Sequence, residues 1–147
     1  MNEVLKISGL TKRYKNIVAI DNLSLNIEKG NVYGILGPNG SGKTTTLSII
    51  TGILHQDSGT FEWFEKPFTP DSLIKIGALV ETPNFYPYLS LYKNLQIITR
   101  IKSIDDDDIN RVLGKTNLLP RKHSRFSTLS LGMKQRLGLA AAMLGDP

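Results

Sequence analysis

The sequence contains no cysteine, which excludes a disulfide framework and any thiolate-held metal. Long apolar runs are also missing. The longest, near Leu137–Leu144, falls far short of the roughly 20 residues that a membrane span requires. The opening residues, Met1-Asn2-Glu3-Val4-Leu5-Lys6, have no signal-peptide core. A soluble, cytoplasm-type protein is expected, with any membrane link made through a partner. Charge of one sign does not dominate: 18 Lys and Arg stand against 13 Asp and Glu, a net +5. No basic stripe with interleaved aromatics appears, and a nucleic-acid partner is not expected. The one local cluster, Arg121, Lys122, His123 and Arg125, reads as a solvated loop. No low-complexity tract occurs, and 147 residues suit one domain with a buried core.

Against that ordinary background one stretch stands out: Gly37-Pro38-Asn39-Gly40-Ser41-Gly42-Lys43-Thr44. It fits G-x-x-x-x-G-K-[ST], the phosphate-binding loop. The apolar run Val32-Tyr33-Gly34-Ile35-Leu36 before it reads as a buried strand. A helical pattern follows, with Leu47, Ile50, Thr51 and Leu54 on one face. The chemistry needs this order. A polyphosphate requires many donors close together, and glycines at 37, 40 and 42 let successive N–H groups turn inward. The helix starting near Lys43 adds its unpaired N–H groups and the positive end of its dipole. Lys43 would reach the β- and γ-phosphates of a nucleotide, and the Thr44 hydroxyl would ligate Mg²⁺. Asn39, Ser41 and Thr45 complete the expected nucleotide contacts. Thr44-Thr45-Thr46 is a poor helix former, so neighbouring structure or the nucleotide must hold that turn.

Taken in order, Glu3–Leu10 reads as a strand and Lys12-Arg13-Tyr14 as a polar stretch. Ile17–Ile20 is a short apolar run, and Leu23-Ser24-Leu25-Asn26-Ile27 alternates as a half-buried strand does. These residues suggest a small antiparallel sheet ahead of the nucleotide core. Gly52 and His55–Gly59 mark a turn, and Thr60–Phe64 a strand. Ser72–Ile76 suits a short helix and Gly77–Val80 a buried strand ending at Glu81. Thr82–Tyr88, with Pro83 and Pro87, can be neither helix nor central strand. Ser90 then suits an N-cap, with Leu91, Leu95 and Ile98 on one helical face. Asp105–Asp108 opens another helix, with Ile109, Val112 and Leu113 apolar. Read as a calcium loop, that acidic run fails, because Asn110 stands where glycine is needed and Thr116 where glutamate is. Acids at a helix start favour its dipole instead. A final helix follows Ser130, with Met133, Leu137, Ala140, Ala141 and Leu144 on one stripe and Gly145 and Pro147 as stop signals. Ser130 and Gly132 at its start could form a second anion site; on the residues alone an ordinary capped helix is the simpler reading.

Leu129-Ser130-Leu131-Gly132-Met133-Lys134-Gln135-Arg136 resembles the signature motif of ABC transporter ATP-binding subunits, usually LSGGQ followed by Gln-Arg. With the phosphate loop, the resemblance spans the whole chain. It implies an α/β fold of the ABC type of P-loop NTPase: an N-terminal antiparallel β subdomain, a partial parallel-sheet nucleotide core and a helical subdomain. The expected division is about 1–83, 84–128 and 129–147. The resemblance also makes Tyr14, otherwise a surface tyrosine, the platform on which adenine stacks. It puts Glu81 at the Q-loop position, where a glutamine normally touches Mg²⁺ or the attacking water and relays to the membrane subunit. Glutamate can still coordinate Mg²⁺ but adds charge. Gly77–Pro83, Asn84–Pro87 and Leu131–Arg136 resemble the bacitracin and lantibiotic exporter branch, where Glu commonly replaces Gln.

The family mechanism implies a homodimer or pseudo-dimer. ATP on one subunit's phosphate loop would be covered by Ser130, Leu131, Gly132 and Met133 of the other. The pair would sit at the inner face of the cell membrane, held there by an integral membrane permease that the aromatics Phe85–Tyr88 and the following helices contact. In this family the next stretch after the signature helix is an apolar strand ending Asp-Glu, followed later by a switch histidine. Neither appears in the sequence, which looks like the front part of an ATPase, incomplete at its C-terminus. Ile17-Val18-Ala19-Ile20-Asp21 is a decoy for that strand, since it precedes the phosphate loop. His55 and His123 also precede the signature. Little turnover by these residues alone, lower stability than a full subunit and exposed apolar sheet edges are expected. The function expected is ATP hydrolysis energising export of a peptide antibiotic or similar amphiphile. A soluble ABC-type ATPase acting on ribosomes or DNA, and a nucleotide-binding module without turnover, are the alternatives.

Overall fold

The structure, a computed structural model, describes residues 2–80 and 84–147. It comprises two compact units, Met1–Ser72 and Leu73–Pro147. The first is built on a hairpin of two long strands, β1 (Glu3–Tyr14) and β2 (Ile17–Glu28). The phosphate-loop helix α1 (Lys43–Ile50) follows, then β3 (Ser58–Trp63) and the short β4 (Lys66–Pro67). The sheet is antiparallel, in the order β2-β1-β3-β4. Leu5 and Ile7 point into its core with the two-residue period of a strand, and Leu10, not residue 9, continues the buried row. Gly9, at φ +61°, absorbs the change of phase, where the β1–β2 register shifts between Ile7 and Leu10. The alternating Leu23, Leu25 and Ile27 of β2 pack on that core as their spacing predicts, and Ile49 and Ile50 cap it from α1.

Three local expectations are corrected. Residues 32–36 and 77–80 form no strand. An apolar run becomes a strand only when a neighbour supplies the ladder, and among the described residues none pairs with either; Val32 is 100% exposed and Leu36 95%. The face foreseen for α1 is also different. The helix stops at Ile50, where the Thr51 hydroxyl bonds back to Leu47 O (2.7 Å) and Gly52 takes φ +74°. Leu54 therefore lies beyond it, and Thr46, Ser48, Ile49 and Ile50 are buried while Leu47 is exposed. Conversely, β1 runs on through Lys12-Arg13-Tyr14, and Ser72 falls in a 3₁₀ turn, Pro70–Lys75.

The second unit packs α2 (Leu91–Lys102), α3 (Asp107–Lys115) and α4 (Leu131–Ala142) around one apolar cluster. Leu91 and Leu95, Ile109, Val112 and Leu113, and Leu137 and Ala140 face inward at helical spacing, all with 0% exposure. Each such leucine contributes about 1.5–3 kcal/mol of transfer free energy. Ser90 caps α2, accepting from Lys93 N (3.2 Å). Asn94, 2% exposed, reaches back to lock the preceding loop: its Oδ1 accepts from Tyr86 N (2.8 Å), and its Nδ2 donates to Tyr86 O and Ser90 O.

The acids opening α3 work as structural anchors. Asp106 accepts from Thr99 Oγ1 and Gln96 Nε2, both at 2.6 Å, and from Arg100 (2.8 Å), tying α3 to α2. The Thr99 hydroxyl, then Gln96, hold its carboxyl below the ordinary carboxylate range. A proton therefore binds the folded form more weakly than the unfolded one, and this stabilisation is complete above the ordinary carboxylate pKa and fades as pH falls through the lower, folded value. Asp106→Asn is expected to flatten the acid limb of stability below about pH 4. Urea midpoints of both proteins at neutral pH and at about pH 3 check this; parallel acid losses would count against it.

Candidate nucleotide-binding site

The loop that fits the phosphate-binding pattern turns on two glycines, Gly40 at φ +84° and Gly42 at φ +85°. Gly42 could be nothing else. Besides its left-handed backbone, a Cβ there would stand 2.3 Å from Ala19 O of β2. The loop is thus pressed against the hairpin. Lys43 folds back over it, its ammonium donating to Gly37 O and Pro38 O (2.7 Å each) and to Ser41 Oγ (3.2 Å). Three donors meet three loop acceptors, which draws residues 37–43 into a ring around a positive charge. Asn39 and Gly40 are exposed on it. The threonine-rich first turn is held locally, as Thr46 donates from both N (2.8 Å) and Oγ1 (2.9 Å) to Gly42 O.

The four helix starts differ in one respect. In α2 the Leu91 and Tyr92 amides donate to Ser124 O and Lys122 O, and Ser90 takes the Lys93 amide. In α3 the Asp107 and Asp108 amides go to Asp105. At α1, by contrast, no acceptor of the chain, among the described residues, takes the Lys43, Thr44 or Thr45 amide, and no acid stands in the first turn. At α4 Ser130 caps only the Met133 amide (3.3 Å), and the Leu131 and Gly132 amides are likewise open among the described residues. Two helices close their own N-termini; the two at the sequence motifs leave donors for something else.

Thr44 is exposed at the α1 start and Thr45 is half-buried. Among the described residues no group of three His, Asp or Glu side chains converges on a metal position. A single Thr44 hydroxyl is compatible with Mg²⁺, which keeps waters and phosphate oxygens and needs only one or two protein ligands. Glu81 lies outside the described residues.

Tyr14 ends β1, 44% exposed, opposite Ile17. Ile17 is two residues from Ala19, whose carbonyl abuts Gly42. The hairpin therefore carries Tyr14 and the phosphate loop in one unit. A residue that sequence reading left in a turn, Asp57, joins them. It accepts from Arg13 N (2.6 Å) and Lys12 Nζ (2.8 Å), and Lys12 Nζ lies 5.7 Å from the centre of the Tyr14 ring. The Lys12 hydrogen bond, then that from Arg13 N, holds the Asp57 carboxyl below the ordinary range. Ser130, Leu131 and Gly132 belong to the other unit, all exposed, with Met133 half-buried and Leu129 buried beneath them.

A glycine loop leading into an uncapped helix fits the loop and helix of a phosphate-loop nucleotide-binding domain, although residues 32–36 do not form the strand that precedes such a loop. Comparison narrows the class: residues 20–147 match the model of the ABC transporter family, and the chain belongs to that family. It is 36% identical over 144 residues to the lantibiotic transport ATP-binding protein SrtF of Streptococcus pyogenes, covering 98% of this chain and 63% of that protein. It is 35% identical over 151 residues to the bacitracin transport ATP-binding protein BcrA of Enterococcus faecalis, covering 100% of this chain and 49% of that one. The solved structure of cbiO1 from Clostridium perfringens, part of the ABC transporter complex cbiONQ, superposes with a TM-score of 0.85 at 25% identity, over 100% of this chain and 63% of that one. The chain thus spans about half to two thirds of the length of these relatives. Among the described residues no helix is long and apolar enough to cross a membrane.

Proposed function

We propose that the chain is the nucleotide-binding part of an ABC transporter subunit that binds and hydrolyses ATP. We further propose that it energises export of a peptide antibiotic or similar amphiphile through a separate membrane permease, at the inner face of the cell membrane. The observation that carries the reading is the α1 start: amides at Lys43, Thr44 and Thr45 that are open among the described residues, beside an ammonium ringed by Gly37, Pro38 and Ser41. A triphosphate would take those donors and draw Lys43 off its loop carbonyls onto phosphate oxygens, which are charged and so the stronger acceptors. Tyr14 would stack on the adenine. Mg²⁺ would neutralise charge on the phosphates, with Thr44 and Glu81 as its candidate protein ligands. The open amides of Leu131 and Gly132, with Ser130, suit the γ-phosphate of a nucleotide on a second subunit, so that ATP closes a homodimer or pseudo-dimer. Closure favoured by ATP and reversed after hydrolysis would bias the permease between two states.

Two named relatives support the export reading, being lantibiotic and bacitracin transport proteins by name. The test is drug survival. Cells producing the complete gene product with its permease are expected to tolerate bacitracin or a lantibiotic better, and Lys43→Ala is expected to erase the gain. Unchanged tolerance to both drugs, together with failure of any membrane protein to co-purify, would overturn the export reading.

A further inference from the structure

We propose that Asp57 is a positioning residue for the nucleotide base: its carboxylate fixes the Lys12–Tyr14 end of β1 and so sets the ring on which the base stacks. The inference rests on the nucleotide-binding reading above. β1 pairs with β2 along its whole length, from Glu3 to Tyr14, but with β3 only from Leu5 to Thr11. Beyond Thr11, among the described residues, its second edge has no strand beside it, and Tyr14 would hang from a two-stranded ribbon, which is marginal by itself. Asp57, the residue before β3, fills that edge. Its own N–H donates to Thr11 O (3.0 Å), and its Oδ2 accepts the Arg13 N–H (2.6 Å). A side-chain carboxylate thus stands where the next strand carbonyl would be.

The second oxygen has a separate task. Oδ1 holds the Lys12 ammonium at 2.8 Å, and that ammonium lies 5.7 Å from the Tyr14 ring centre. Lys12 therefore covers one face of the ring, and the opposite face is the one a base would take. Side-chain exposures of 16% for Lys12 and 44% for Asp57 leave the ion pair itself worth little. The backbone clamp and the placement of Lys12 carry the effect.

The test separates base from phosphate. Mg-ATP and Mg-tripolyphosphate are titrated into the 147-residue chain and into Asp57→Ala, Asp57→Asn, Tyr14→Ala and the double variant Asp57→Ala/Tyr14→Ala. Asp57→Ala is expected to lower ATP affinity relative to tripolyphosphate about fivefold. Asp57→Asn keeps an acceptor for Arg13 N and should lower the ratio about twofold; it carries the test if Asp57→Ala does not fold. In the Tyr14→Ala background the Asp57 change should leave the ratio where it is. Equal loss for both ligands, an unchanged ratio in both Asp57 variants, or the same loss with Tyr14 absent would overturn the inference. Failure of the unaltered chain to bind either ligand would instead overturn the nucleotide reading beneath it.

Discussion

Lys43→Ala is expected to weaken Mg-ATP binding roughly a hundredfold while leaving the fold intact. The magnitude follows from the donors lost. An ammonium hydrogen-bonded to phosphate oxygens contributes about 1.5–3 kcal/mol per charge-assisted bond, and a loss of about 2.7 kcal/mol is a hundredfold in affinity. The neutrality toward the fold follows from what Lys43 touches: Gly37 O, Pro38 O and Ser41 Oγ, all on residues exposed to solvent. Water replaces the lost donor there, so no buried acceptor is stranded. Calorimetric titration of both proteins, beside their thermal melts, decides the matter. Matching melts with binding only in the unaltered chain would mean that residues 37–45 build a working phosphate site without any further strand. Equal ATP affinity in both proteins would remove the phosphate loop from the functional reading.

The same loop shows what a one-dimensional reading can reach. The turns at Gly40 and Gly42 and the helix starting at Lys43 were legible because glycines at that spacing permit the left-handed backbone, and α2, α3 and α4 because their apolar residues recur at helical period beneath real caps such as Ser90 and Ser130. Residues 32–36 and 77–80 were misread as strands because hydrophobicity reports a wish for burial, whereas a strand exists only with a partner. Asp57 was missed for a related reason. Its value lies in meeting Arg13, 44 positions away in sequence, and nothing local distinguishes it from any other turn aspartate. Asn94 was missed likewise, since an asparagine inside a helix reads as a weak helix former until the loop it clamps is in place. Periodicity and caps were visible, then, with the buried face of α1 the exception, whereas side-chain contacts between residues distant in sequence were not.

Gly132 offers the largest separation between stability and function. Its backbone does not require glycine, since it is not among the positive-φ residues, and a Cβ there would meet nothing within 4 Å. Gly132→Ala should therefore stabilise the helical unit by up to about 1 kcal/mol, the usual helix preference of alanine over glycine. Gly132→Asp should be tolerated as well, because an acid in the first turn complements the helix dipole by about 0.3–1 kcal/mol. If the Leu131 and Gly132 amides serve the γ-phosphate of a partner's ATP, that same carboxylate meets a like charge at close range, and repulsion there costs several kcal/mol. ATP hydrolysis by the complete subunit pair should then fall more than about a hundredfold, with ATP binding at the Lys43 loop unchanged. The effects on folding and on turnover have opposite signs, so general damage to the protein cannot imitate the result. Thermal melts of the Asp variant, ATP titrations and steady-state hydrolysis by the paired full-length subunits measure the three quantities. Retained hydrolysis in Gly132→Asp would mean that the open start of α4 meets no phosphate, and the paired arrangement would have to be abandoned.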